Sequence, residues 1–286
     1  MKAAHPRDVA LSIVTAQPPS QAVAMWWLGQ ASVVLRAAAL TVYIDPFLSA
    51  YPGRLAPPLF FPEEAPPADY ILCTHEHADH FDPQTLSGMA QASPHARFVV
   101  PLPMVEQVTA LGIAAERVLG TQPDEVLHLG PMTLCSVPAC HGLTAPPAIY
   151  GFDFVERAGK QLYRYLGYIL EIAGVRIYHA GDTVIYDGLV ERLREQEVDL
   201  AFLPINGRSY FREQTNIVGN MDEREAADLA AAAGVKLLVP IHYDLFAANR
   251  GRPGTLVEYV QVSHADLSCL IPAPGRRFTF VKGDAR

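Results

Sequence analysis

Cysteine is scarce in this chain: Cys73, Cys135, Cys140 and Cys269 are spread over 286 positions, with no CxxC pair. That spacing excludes a disulfide-stapled scaffold and suits a reducing compartment. Charge is also sparse. Charged residues make up 18% of the chain, and 22 Lys and Arg against 30 Asp and Glu leave a net charge of −8. A nucleic-acid surface needs a basic footprint, so that partner is excluded, as is a polybasic membrane contact. A small anionic substrate stays compatible, because a bound cation supplies positive charge locally. No apolar run is long enough to span a bilayer, and the stretch holding His5, Arg7 and Asp8 lacks the apolar core of a secretion signal. A cytoplasmic protein is expected.

What is abundant is apolar: half of the residues are hydrophobic, with 20 Gly and 24 Pro between them. That supports one large domain or two halves sharing a core. Residues 1–24 read as an irregular N-terminal segment, with a short helix over Asp8–Val14. A single domain of two similar halves follows over 25–286. Strands are expected over Ser32–Arg36 and Thr41–Ile44, with Trp26 and Trp27 as core anchors just before them. Six prolines between Tyr51 and Asp69 predict a long stiff loop, of the kind that forms lids, with Phe60 and Phe61 covering something. From Asp82 onward helices and strands alternate. A hairpin is expected over Tyr165–His179, a buried strand over Val198–Pro204, and a helix over Asp222–Ala233 with Asn220 and Glu223 as its capping box. Two sheets packed face to face, with helices outside, satisfy this order.

The densest chemistry lies in Thr74-His75-Glu76-His77-Ala78-Asp79-His80. Tyr70–Cys73 before it reads as a buried strand, and Asp82-Pro83 after it opens a helix. In extended backbone alternate residues face one side, so His75 and His77 can share an ion while Glu76 points away. Asp79 and His80 lie past the strand end and can turn towards a second ion. Imidazole with carboxylate suits zinc, manganese or iron. His141, Asp182 and His242 each follow a further expected strand, where mixed α/β folds gather their sites. His179, on the strand before Asp182, reads as structural or as a support behind a ligand. His5, His95, His128 and His264 have no sequence partners and are expected at the surface.

Together, the HEHADH run at 75–80, His141, the Gly181-Asp182 pair and His242 resemble the metallo-β-lactamase-fold hydrolases, over nearly the whole chain. Ala24–Gly29, Pro204–Arg208 and Pro240–Asp244 are similar to the L-ascorbate-6-phosphate lactonase branch of that group. The resemblance implies an α/β chain folded as a four-layer αβ/βα sandwich. It implies that His75, His77 and His141 hold one ion, that Asp79, His80 and His242 hold the other, and that Asp182 bridges. Asp45 would hydrogen-bond a ligand histidine from outside. The cofactors implied are two divalent ions, zinc or manganese, with iron admissible. Two such ions sit about 3.5–4 Å apart and ionise a water between them near neutral pH. Its attack on a carbonyl or phosphorus would be oriented by Asp79, the catalytic candidate. Asn206, Arg208 and Tyr243 are the candidate substrate contacts, with the arginine offering a fork for phosphate or carboxylate.

The leading expectation is therefore a dinuclear metal-dependent hydrolase acting on a small ester or lactone, a sugar-phosphate lactone in its finest form. A phosphodiesterase acting on a small or lipid phosphodiester is the alternative enzyme. A non-catalytic metal-binding protein and a redox di-iron protein use the same ligands. The partner expected is a small molecule, with no nucleic acid and no membrane; a homo-oligomer is allowed. No GxSxG elbow competes with the metal reading.

Overall fold

Alternation along Ala22–Gly29 sorts the molecule into layers. Val23, Met25 and Trp27 face a second sheet, Ala24, Trp26 and Leu28 face helices outside, and all six are buried. Residues two apart on a strand share a face, so this one strand serves two cores. The computed structural model describes residues 6–144, 149–215 and 217–283, so His5 lies outside it.

The first half runs α1 (Pro6–Val14), β1 (Ala22–Gly29), β2 (Ser32–Ala37), β3 (Leu40–Ile44), β4 (Tyr70–Leu72), α2 (Pro83–Ala92), β5 (Arg97–Pro101), α3 (Val105–Thr109) and β6 (Val118–Thr121). The chain then crosses over through β7 (Val126–Leu129) and β8 (Met132–Pro138). Four short strands follow: β9 (Gly142–Thr144), β10 (Ile149–Gly151), β11 (Phe154–Arg157) and β12 (Lys160–Tyr163). The second half continues with β13 (Leu166–Ile172), β14 (Val175–His179), α4 (Leu189–Glu195), β15 (Leu200–Pro204), α5 (Tyr210–Glu213), α6 (Glu223–Ala233), β16 (Leu237–Ile241), α7 (Pro253–Ser263), β17 (Ser268–Cys269) and β18 (Arg277–Val281).

Two seven-stranded sheets result, ordered β18-β1-β2-β3-β4-β5-β6 and β17-β16-β15-β14-β13-β8-β7. Each is antiparallel over one half and parallel over the other. In the first sheet the parallel run is β3 to β6, and in the second it is β14 to β17. Val9, Ile13, Leu86, Met89 and Val108 pack α1, α2 and α3 on the outer face of the first sheet. Leu189, Leu193, Leu229, Ala230, Leu256 and Val260 bring α4, α6 and α7 into the second sheet's core. The four-layer αβ/βα sandwich is thus formed as expected.

Some local expectations are corrected. The N-terminal segment is not irregular up to residue 24: α1 buries Val9 and Ile13, and β1 begins at Ala22. The capping box of α6 is Asp222 with Glu225, whereas Asn220 is buried and donates to Asn206. The proline-rich stretch holds one turn of 3-10 helix, Pro62–Glu64, and it buries Phe60 but leaves Phe61 exposed. His264 has a partner after all, Asp228 at 2.6 Å.

Candidate metal centre

Parallel strands end together, and the loops leaving them converge at one edge of the sandwich. Asp45 follows β3, the HEHADH segment follows β4, His141 follows β8, Asp182 follows β14 and His242 follows β16. Asp45 and His242 adopt left-handed backbone, with φ of 47° and 59°. That conformation turns each side chain back across its strand end, at a cost of about 1 kcal/mol or more for a residue with a Cβ.

The HEHADH segment is a tight turn, because β4 stops at Leu72. Its histidines are gathered by hydrogen bonds from outside the turn, and strand alternation plays no part. Asp45 is wholly buried and accepts from the Thr74 amide at 2.7 Å, the Thr74 hydroxyl at 2.7 Å and His80 Nδ1 at 2.7 Å. The Thr74 hydroxyl lies 3.0 Å from His75 Nδ1. Both rings are thereby held by Nδ1, which leaves each Nε2 for a ligand. Glu76 does point away, and it forms an ion pair with Arg164. Gly181, at φ 60°, lets the two halves touch here, since a Cβ on it would stand 2.8 Å from Thr74 Cβ.

The seven expected ligands fall into two groups: His75, His77, His141 and Asp182, and Asp79, His80 and His242. Within each group the ligand atoms lie within 4.8 Å of one another. Asp182 stands between them, its Oδ1 3.3 Å from His80 Nε2 and its Oδ2 3.5 Å from His141 Nε2 and 3.3 Å from His242 Nε2. Tyr165 packs edge-on against His75 and His141, with ring centroids 5.4 Å from each.

This set fits divalent ions. Buried His80 Nε2, His141 Nδ1, Asp182 Oδ1 and His242 Nδ1 lack hydrogen-bond partners within the protein. Each buried unpaired polar atom costs about 1–3 kcal/mol, which an ion would recover at His80 Nε2 and Asp182 Oδ1, the two that face the other candidate ligands. Burial and the neighbouring His80 and His77 push His75 well below the usual imidazole range, and burial takes His141 down to about 3. Both rings are neutral at pH 7 and offer lone pairs. Burial raises the carboxyls of Asp79 and Asp182, but adjacent His80 and His242 outweigh it and hold both below the ordinary range. The donor set of nitrogens and carboxylate oxygens suits zinc, manganese or iron(II).

Five of the candidate ligands, His77, Asp79, His141, Asp182 and His242, form the floor of a cavity of about 590 Å³. Its walls are Tyr51, Pro52, Ile217, Val218, Phe246, Ala248 and Asn249, with no Lys or Arg among the described lining residues. Tyr51 and Pro52 belong to the proline-rich stretch, which is tied to the opposite wall by a bridge between Arg54 and Phe246 and by the Leu55 amide donating to Leu245 O at 2.8 Å.

The expected substrate contacts do not line this cavity. Tyr243 is buried and stacks on Trp27, with ring centroids 5.0 Å apart. Arg208 lines a separate hollow of about 360 Å³ with Arg212, Arg250 and Arg252. Its guanidinium is held by both carboxylate oxygens of Glu225, at 2.8 and 2.5 Å, and donates to Asn220 O at 2.9 Å. Asn206 reaches the cavity only through Asn249, whose Oδ1 accepts from it at 2.7 Å. Two site residues went unread in the sequence, Tyr165 and Gln30. Gln30 is fully buried, and its Nε2 lies 2.7 Å from Asp79 Oδ2 and 3.0 Å from His242 Nε2.

The Beta-lactamase superfamily domain matches residues 41–243, which include all seven ligands. A UPF0173 metal-dependent hydrolase of Myxococcus xanthus is 28% identical over 253 residues, 87% of this chain and 80% of its own length. Another, of Thermococcus onnurineus, is 31% identical over 209 residues, 71% of this chain and 77% of its own length. Among solved structures, a metallo hydrolase from Ignicoccus hospitalis has the same fold: TM-score 0.67 at 19% identity, covering 92% of this chain and 100% of that one.

Proposed function

The chain belongs to the beta-lactamase superfamily and, within it, to the UPF0173 metal-dependent hydrolase family, and from that premise we propose that it is a metal-dependent hydrolase that holds two divalent ions and opens a small, uncharged ester or lactone. The observation that carries this reading is the pairing of seven clustered candidate ligands with a cavity whose described walls are largely apolar and carry no cation. An anionic substrate would want a local basic partner, and Arg208, the expected one, is paired with Glu225 in a separate hollow. A lactone without a phosphate fits these walls better than a sugar-phosphate lactone does.

The protein's own groups divide the work. His75, His77 and His141 would hold one ion, Asp79, His80 and His242 the other, with Asp182 between. When bound, two such ions supply Lewis acidity to a carbonyl oxygen and acidify a water. Asp79 is ionised at neutral pH, and its Oδ2 is engaged by Gln30 and His242. Its Oδ1 is therefore the oxygen that orients the attacking water and takes its proton, later releasing it to the leaving alkoxide. Tyr51, Pro52, Ile217, Val218 and Phe246 cover the apolar body of the substrate and keep bulk water off it.

The test is elemental analysis of the purified protein, followed by a panel of neutral lactones, phosphorylated lactones and phosphodiesters with the metal restored. Two ions per chain and a preference for neutral lactones are expected. Asp79→Ala should abolish turnover while the ion of His75, His77 and His141 is retained. A stoichiometry of one or none, or a preference for phosphodiesters, would sink the reading.

A further inference from the structure

We propose that Gln30 is a metal ligand: its side-chain amide oxygen completes the coordination of the ion held by Asp79, His80 and His242. This rests on the two-ion reading above and extends it to a residue outside the matched segment.

Gln30 occupies the turn between β1 and β2, in left-handed backbone with φ 51°. Three hydrogen bonds pin its main chain. Its amide donates to Asp244 Oδ1 at 2.9 Å, and its carbonyl accepts from Trp27 Nε1 at 2.9 Å and from the His242 amide at 2.8 Å. Side-chain rotamers apart, the residue has nowhere to go. Its amide head stands 2.7 Å from Asp79 Oδ2 and 3.0 Å from His242 Nε2, the spacing that neighbouring donor atoms take around one ion.

The arrangement of the head is informative. Nε2 donates to Asp79 Oδ2 and lies beside His242 Nε2, while Oε1 is buried without a hydrogen-bond partner. An amide nitrogen can only donate, so its bond occupies a lone pair on Asp79 that a cation would take. With a cation there, the nitrogen faces positive charge and loses that bond. A half-turn about the last side-chain bond exchanges nitrogen for oxygen and directs Oε1 at the ion. The bond broken by the turn is the one the cation itself removes.

The ligand sets then differ in kind. The first site has three imidazoles and the shared Asp182. The second has two imidazoles with oxygens from Asp79, Asp182 and Gln30. An oxygen-rich set favours the harder ion, so manganese should compete with zinc better at the second site than at the first.

The test measures metal affinity directly, by titrating manganese, zinc and cobalt into metal-free full-length protein against a chelating indicator. Wild type, Gln30→Ala and Gln30→Glu are compared. Gln30→Ala should weaken the second ion by about tenfold or more and leave the first within a few-fold. Gln30→Glu should tighten the second ion and shift the visible bands of cobalt bound there. Failure of wild type to bind a second ion would overturn the two-ion reading and the proposal with it. A wild type that binds two ions and a Gln30→Ala variant that holds the second equally well, or better, would overturn the proposal alone, since the amide would then be a plug. Should the alanine variant fail to fold, unchanged affinity and unchanged cobalt bands in Gln30→Glu overturn it as well.

Discussion

At the scale of a residue, Asp45 shows how much of a metal site lies outside its ligands. Two carboxylate oxygens satisfy the Thr74 amide, the Thr74 hydroxyl and His80 Nδ1. Only an anion accepts all three. In Asp45→Asn one oxygen becomes an NH2 group facing a hydroxyl and an imidazole N–H. The His80 ring must then change tautomer or turn, and its Nε2 no longer presents a lone pair to the ion. The ion shared by Asp79 and His242 should bind about 10–100-fold more weakly, read by chelator competition at neutral pH. Equal affinities in variant and wild type would mean that Thr74 alone orients the ring. Arg208 teaches the opposite lesson. Its type and its place after a strand suggested a substrate grip, yet Glu225, 17 residues on, claims both ends of the fork.

At the scale of elements, the site depends on how closely two loops approach. Gly181 carries φ 60°, and a Cβ there would meet Thr74 Cβ at 2.8 Å and Leu166 O at 3.0 Å. Gly181→Ala therefore combines left-handed strain with overpacking, and should cost on the order of 2–4 kcal/mol. A melting curve measures the loss, and metal titration should show both ions weakened, since Asp182 follows directly. A variant as stable as wild type would show that the loop can retreat from Thr74. The same contact explains what was legible in sequence. The candidate ligands could be picked out because each is a metal-type residue in the loop that leaves an apolar strand run, which is a local signal. Gln30 and Tyr165 could not, because their role comes from partners on other loops; Gln30 meets His242 across 212 residues. The short strands β9 to β12 were missed for a related reason. They form two-stranded ribbons in which exposed and half-buried residues follow no clean alternation. The capping box was misplaced by two residues, as Asn220 and Asp222 are both competent cap types and only burial separates them.

At the scale of the molecule, the two halves are joined by charge as well as by their apolar faces. Asp199 is buried at the start of the β15 segment and accepts from Lys236 at 2.8 Å and from the Arg176 amide at 3.0 Å. It also accepts at 2.8 Å from Lys282, which follows β18 in the other sheet. Burial raises its carboxyl, but the hydrogen bonds of Lys236 and Lys282 prevail and hold its pKa below the ordinary value. A depressed carboxylate gives stability that is present above the unfolded pKa, about 4, and is lost as pH falls through the folded value. Asp199→Asn should therefore melt below wild type at pH 7, with the gap closing towards pH 3. A gap that persists unchanged in acid would assign the effect to packing instead.

The pairing of β18 with β1 sets a timetable for synthesis. Strand β1 emerges early from the ribosome, and its free edge is not covered until residues 277–281 have been made. Until then the nascent chain carries an open strand edge beside two tryptophans, the kind of surface that pairs with other chains. His75 through His80 are translated well before His242, so early ligands wait for late ones. The centre thus waits for His242 and the edge for β18, and a chain cut between them keeps its candidate ligands but leaves the β1 edge exposed.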